Sequence, residues 1–404
     1  MILLLLSPRT AHLDYSAWLH DCADELIAVA PHDAEVAAGF HEIARVEHYA
    51  DDAEVLAAAR SLMQRHTIRR IVALAEVDIE RAALLRAELN LPGQSPDSAR
   101  AYRDKVVMKR HLLGSPVRVP QFAPVETVAD IVEFMARCPG TVVLKPRSAS
   151  GSTGVVLVEQ PSDLEGLALP LDTVAYEAEA FIAGDFFHVD LLKIDGERIF
   201  AIPSAYTGEG CLAHWTDSGS GSYTLARDDW RHAALVAASW AVVDALPATS
   251  DLIAHAEFFI TPERDIVFCE IASRVAGTPI PTMLQRCLGL DPRELWCRIA
   301  CGLPVDLAGI RAALDASPLV ANFGLPPRNG VVRGLPADTL PGIESLQILV
   351  TLGDDWSGQR YEARKSGDFV ATWLVTGQDE PALLARLSDS CALMESAVTW
   401  AESS

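Results

Sequence analysis

TVVLKPRSASGSTGVVLV, residues 141–158, is the stretch on which the fold turns. An apolar run of strand composition ends at Lys145, a loop of small residues runs from Ser148 to Gly154, and a second apolar run returns. Small side chains let backbone N–H groups wrap phosphate oxygens, with Lys145 as a fixed cation beside them. The loop leads into a strand and lacks GK[ST], so it is not a Walker A loop. By itself it also fits a plain flexible hairpin.

Downstream, AHAEFFITPERDIVFCEIASR (254–274) reads as two strands joined by a turn at TPERD. Strand alternation puts Glu257 on the face opposite Phe258, and antiparallel pairing can set it beside Glu270. Two carboxylates near a phosphate suit Mg2+, which keeps several waters and takes few protein ligands. Arg274, four residues past Glu270, offers a cation for phosphate or for a developing oxyanion. A solvent-facing acidic hairpin is the competing reading, and the apolar setting VFCEIA speaks against it. Between the two segments lies VAYEAEAFIAGDFFHVDLL (174–192), an extended crossover that turns at Gly184. Glu179, Ala180, Phe181 and Ile182 can present backbone groups to an adenine edge, with Asp185 or His188 reaching the ribose. Upstream, RDKVVMKR (103–110) sets Lys105 near the start of a helix.

Taken in order, these segments resemble the ATP-grasp superfamily: a helix-borne lysine, a strand lysine with a Gly/Ser loop, an acidic hinge, then paired glutamates ending in ExxxR. The likeness runs from the N-terminus to the end of the chain. It implies an α/β (α+β) ATP-grasp fold, with residues 1–94 as an N-terminal doubly wound α/β domain. Residues 95–183 would form the linker helix and the small lid subdomain, and 184–404 the large C-terminal domain with a closing β-rich segment. It also implies that Lys105 and Lys145 grip ATP phosphates under a lid containing Ser150, Gly151 and Ser152. Residues 179–182 would read adenine, and Glu257 and Glu270 would hold Mg2+, with Mn2+ as an alternative. Arg274, with Lys145 and backbone near Gly277, would serve the reacting phosphoryl and acyl groups. Many members carry ExNxR, whereas this chain has Ala272 where the Asn would be.

The branch most resembled is the carboxylate–amine ligases, including L-amino acid ligases of natural-product pathways. The pointers are FHVDLLKIDGE (187–197), EIASR followed by AGTPIP, and the closing NGVVRGLPADTLPGI segment. The expected reaction activates a carboxylate as an acylphosphate and passes the acyl group to an amine, releasing ADP and phosphate. A long Gly/Ser-rich segment, 207–225, carries His214, Trp215 and Ser220, which with Arg274 are candidates for substrate binding. Rival readings are a thiol or carrier-protein acceptor, a biotin-carboxylase-type carboxylase, and an ATP-binding regulatory protein without turnover.

The flanks agree with this layout. ILLLL (2–6) and IRRIVALAE (68–76) read as strands. Ser16–Ala30, closing on a strand-like ELIAVA, Asp52–His66 and Ile79–Leu89 read as helices. SPRT follows the first strand in place of GxGxxG, so no dinucleotide site is expected. LNLPGQSPDSA (89–99) reads as a linker, followed by a helix over Tyr102–Leu113; further helices are expected at Trp230–Ala245 and Glu380–Ala397.

At 404 residues, half of them apolar, the chain is long enough for two or three domains. Its net charge of −22 disfavours nucleic acid and anionic membranes as partners, so small-molecule substrates are expected. MILLLLSP has no basic leader and falls far short of the ~20 residues of a membrane span. Eight scattered cysteines without CxxC fit buried thiols in a reducing cytoplasm. Ligases of this type often form homodimers, and that assembly is allowed here.

Overall fold

A computed structural model describes residues 1–167, 169–208, 219–362 and 368–402. Strands β1 (Ile2–Leu5), β2 (Leu26–Pro31), β3 (Glu42–Val46) and β4 (Arg70–Ala73) form a parallel sheet in the order β3-β2-β1-β4. β1 pairs on both sides and is buried on both faces, which is why it reads as an unbroken apolar run. Leu3 and Leu5 pack against Val55, Ala59 and Leu62 of the helix Asp52–Arg65. Ile2 and Leu4 face the other way, onto Tyr15, Leu19 and, from far along the chain, Cys297 and Cys301 of the helix Pro292–Cys301. The two cysteines one turn apart are therefore core residues. All seven described cysteines are free; Cys211 lies outside the described residues.

A second, four-stranded sheet comprises β5 (Phe122–Val125), β6 (Val142–Pro146), β7 (Val156–Val158) and β8 (Tyr176–Ala180), in the order β5-β8-β6-β7. One face, with Leu144, Tyr176 and Ala178, packs on Ile131 and Phe134 of the helix Val128–Arg137.

The third sheet is eight-stranded and antiparallel. It holds β9 (Asp185–Ile194), β10 (Glu197–Tyr206), β11 (Ser220–Thr224), β12 (Leu252–Ile260), β13 (Ile266–Ala272) and β14 (Leu319–Leu325). β15 (Val331–Gly334) pairs with β18 (Thr399–Ala401), while β16 (Ser345–Ile348) and β17 (Ala371–Gly377) complete the large sheet. Its order is β13-β12-β9-β10-β11-β14-β17-β16. Phe187, Val189 and Leu191 of β9 and Ala254, Ala256 and Phe258 of β12 point into the main core, so the residues between them point away from it.

Some local expectations shift. The helix expected over Ser16–Ala30 is a single turn, Tyr15–Trp18, followed by a 3-10 segment, while the strand-like end of that stretch is buried β2, paired with β1 and β3. The expected linker contains the helix Pro96–Ala101, started by a Ser95 cap and a proline in its first turn. The helix expected over Tyr102–Leu113 begins only at Lys105, where Asp104 accepts from the N–H groups of Val106 and Val107. The helix Trp230–Ala245 and the closing helix Glu380–Ala397 have the expected bounds.

Candidate active site

The second and third sheets face each other across a cleft of about 370 Å³, within the range of small-molecule sites. β13 carries one residue more than β12 at this point. Glu257 pairs with Glu270 and Phe258 with Phe268, so Cys269 is the bulged residue. A bulge re-aims side chains, and here Cys269 and Glu270 both line the cleft, beside Glu257. The juxtaposition of the two glutamates is thus a consequence of register.

Opposite them stand the lysines. Lys105 occupies the first turn of its helix and bridges Glu270 Oε2, at 2.9 Å, to the carbonyl of Ala149 in the Gly/Ser loop, also at 2.9 Å. Lys145 reaches Glu179 Oε1 at 2.8 Å. Arg147, just beyond, pairs with Asp104, so the residue that caps the Lys105 helix also anchors the loop base. The loop tip is a left-handed turn, with φ of 60° at Gly151, 54° at Ser152 and 73° at Gly154, which accounts for its small residues. Gly184, in the turn after β8, is required by space, since a Cβ there would lie 2.5 Å from the carbonyl oxygen of Ile260.

Burial alone would raise the Glu270 carboxyl, but the charges of Lys105 and Lys145 outweigh it and hold its pKa down at about 2. Burial likewise opposes the charge of Lys145, and Cys269, Glu179 and Glu177 together push its pKa well up. Beneath the cleft floor Lys109, Glu177 and Glu179 form a buried ion cluster, with Lys109 Nζ 2.6 Å from Glu177 Oε1 and also donating to Glu179. Alternation along β8 explains it: Tyr176 and Ala178 face the core, and Glu177 and Glu179 face the lysines.

Among the residues named from sequence, Lys105, Lys145, Ser150, Ser152 and Glu179 line the cleft. So do Phe181, Ile182, Asp185, Glu257 and Glu270. Gly151 shares the turn of Ser150 and Ser152 without lining the cleft. The N–H groups of Ala180 and Phe181 are engaged by the carbonyls of Gln121 and Thr141, so neither is available to a nucleotide. His188 is fully buried under the sheet face, donating to Asp190 at 2.8 Å, which leaves Asp185 as the ribose candidate of the two. Arg274 pairs with Glu76 at 2.6 Å rather than lining the cleft, and Gly277 is exposed in the turn after it. Ser220 begins β11 outside the cleft, and His214 and Trp215 lie outside the described residues.

Sequence reasoning passed over two groups. Glu76, at the end of the parallel strand segment, is gripped by both Arg274 and Arg103 beside Glu270 and Lys105. Its position past the carboxyl end of a parallel strand was the available signal. The second group lies behind Glu257. Asp190 accepts from His188 and His255, and the donor atoms of the three lie within 4.8 Å of one another. Tyr206 donates to Glu257 at 2.7 Å. Burial would lower the His255 pKa, but Asp190 and Glu257 outweigh it and push it up to about 9. A raised folded-state pKa contributes stability that is complete below the unfolded value near 6.5 and is lost as pH climbs through 9. Wild-type protein should therefore lose on the order of 3 kcal/mol more than His255→Gln between pH 6.5 and 9.5. Urea midpoints at the two pH values read this directly, and equal losses would remove the assignment.

No protein-family model matches the chain. Its full length superposes on an L-amino acid ligase from Bacillus licheniformis with a TM-score of 0.77, at 14% identity, covering 98% of that chain. A carboxyaminoimidazole ribonucleotide synthase from Aspergillus clavatus, solved with ATP, gives a TM-score of 0.72 at 15% identity over 98% of both chains. In sequence, 323 residues are 25% identical to the L-arginine-specific L-amino acid ligase of Bacillus subtilis, covering 75% of this chain and 76% of that protein. The fold is the one shared by these ligase and synthase structures. Among the described residues no helix is long and apolar enough to cross a membrane.

Proposed function

We propose that the chain is an ATP-grasp carboxylate–amine ligase that phosphorylates the carboxylate of an amino-acid-like substrate with ATP and condenses the acylphosphate with the amine of a second one. The reading rests chiefly on the in-register pair Glu257 and Glu270 facing Lys105 and Lys145 across one cleft. Phe181, Ile182 and Phe259 make its apolar end, suited to a purine, and the lysines and the Ser150–Thr153 turn make its phosphate end. Two neighbouring carboxylates lining the cleft fit Mg2+, which prefers oxygen donors and keeps waters. Held by Glu257 and Glu270, Mg2+ would neutralise phosphate charge and polarise the transferred group.

The protein's own part is positioning and charge. Lys145 and Lys105 hold the phosphates, and the turn at 150–153 closes over them and keeps water from the acylphosphate. Arg274, paired with Glu76 beside Glu270, adds positive charge near the reacting end of the cleft without lining it. The setting we assign is a cytoplasmic route of specialised metabolism.

The test is release of ADP and phosphate from Mg-ATP across a panel of amino acids, offered singly and in pairs. Release that needs a carboxylate and an amine together, with one amide formed per ADP, is the expected result. Release with carboxylate plus thiol but not amine would overturn the amine acceptor.

A further inference from the structure

Ala272 stands where the ExNxR pattern would supply a metal-binding amide oxygen, and the structure shows what fills its neighbourhood. The pairing of β12 with β13 places His255 directly opposite Ala272, one step along the same face from the Glu257–Glu270 pair. Cross-strand partners project on one side of a sheet, so the methyl of Ala272 leaves room for the imidazole. His255 is buried, and its Nδ1 donates to Asp190 Oδ1 at 3.0 Å. Its Nε2 is turned toward Glu257, 3.5 Å from Oε1, and lies 3.4 Å from the Tyr206 hydroxyl. Metal-bound histidines are oriented in this way: a carboxylate holds one ring nitrogen and leaves the other for the ion. Neighbouring donors on one octahedral ion at about 2.1 Å stand about 3 Å apart, close to the separation of Nε2 and Oε1.

We infer that His255 is a further ligand of the metal site, binding through Nε2 in the place left by Ala272 and sharing an ion with Glu257. The inference rests on the reading of Glu257 and Glu270 as metal carboxylates, and it supplies the donor that this reading lacks. Ligation takes the neutral imidazole, so the incoming ion displaces the Nε2 proton to solvent. A nitrogen in place of an amide oxygen shifts the site's preference from Mg2+ toward Mn2+ and the later transition ions.

Full-length protein labelled with 15N-histidine, loaded with Mn2+ and ATP, tests this by pulsed electron paramagnetic resonance. Coupling of a histidine nitrogen to Mn2+, lost in His255→Gln, is the expected result. The double variant His255→Ala with Ala272→Asn should keep the ion on oxygen donors alone and lower the Mn2+-over-Mg2+ preference about tenfold. Mn2+ bound in a Glu257-dependent way without histidine coupling would overturn the inference and leave the two glutamates as ligands. Failure of the protein to take up Mn2+ with ATP would overturn both. Coupling that persists in His255→Gln would move the nitrogen to another histidine and overturn the assignment.

Discussion

Glu270→Gln should lower substrate-dependent ADP release about a thousandfold, close to 4 kcal/mol of transition-state stabilisation. The amide keeps the shape and the hydrogen-bonding reach of the carboxylate but removes the charge that Lys105 meets at 2.9 Å. It also removes one of the two in-register oxygen donors facing the phosphate end of the cleft. Nucleotide affinity should fall much less, because the apolar end of the cleft and Lys145 are untouched. Steady-state phosphate release beside equilibrium nucleotide binding separates the two effects. Near-normal turnover in a folded variant would remove Glu270 from the chemistry.

The second large effect is one of stability. Lys109→Met should destabilise the protein by about 3–5 kcal/mol, since it leaves Glu177 and Glu179 buried with less compensating charge. Lys145 still pairs with Glu179, so the burden falls on Glu177, whose Oε2 has no hydrogen-bond partner even in the intact cluster. Adding Glu177→Gln to Lys109→Met should restore a measurable part of the loss, because the uncompensated charge is then gone. Denaturant midpoints of the three proteins check this, and additive losses in the double variant would show that the cluster does not act as a unit. Lys145 and Glu179 join this cluster to the cleft floor, so Lys109→Met should also weaken ATP binding without a direct contact.

Much of the site was legible because local rules determine it. Lys145 before a run of small residues reads as a loop whose backbone can close on phosphate, and the run forms a left-handed turn at Gly151, Ser152 and Gly154. Lys109, one helical turn from Lys105, was open to the same reasoning, yet a second lysine on a helix reads as a solvated charge until two glutamates are found beneath it. Asp190 and His255 were hidden for a related reason. Each sits in a strand pattern that says which face it occupies, and nothing local says that β9 and β12 are neighbours. Arg274 shows the converse: its distance from Glu270 in sequence suggested a free cation, and a residue nearly two hundred positions earlier claims it.

The sequence by itself determined the elements that depend on nearest neighbours: the buried β1, the helices Trp230–Ala245 and Glu380–Ala397, the loop after Lys145 and the face on which each glutamate projects. Only the tertiary structure decided which faces meet. The bulge at Cys269, the pairing of His255 with Ala272, the grip of Glu76 on Arg274 and the burial of Lys109 all depend on contacts between distant segments. Period and capping act over a few residues of chain, whereas the environment of a charge is set by whatever the fold brings within a few ångströms of it.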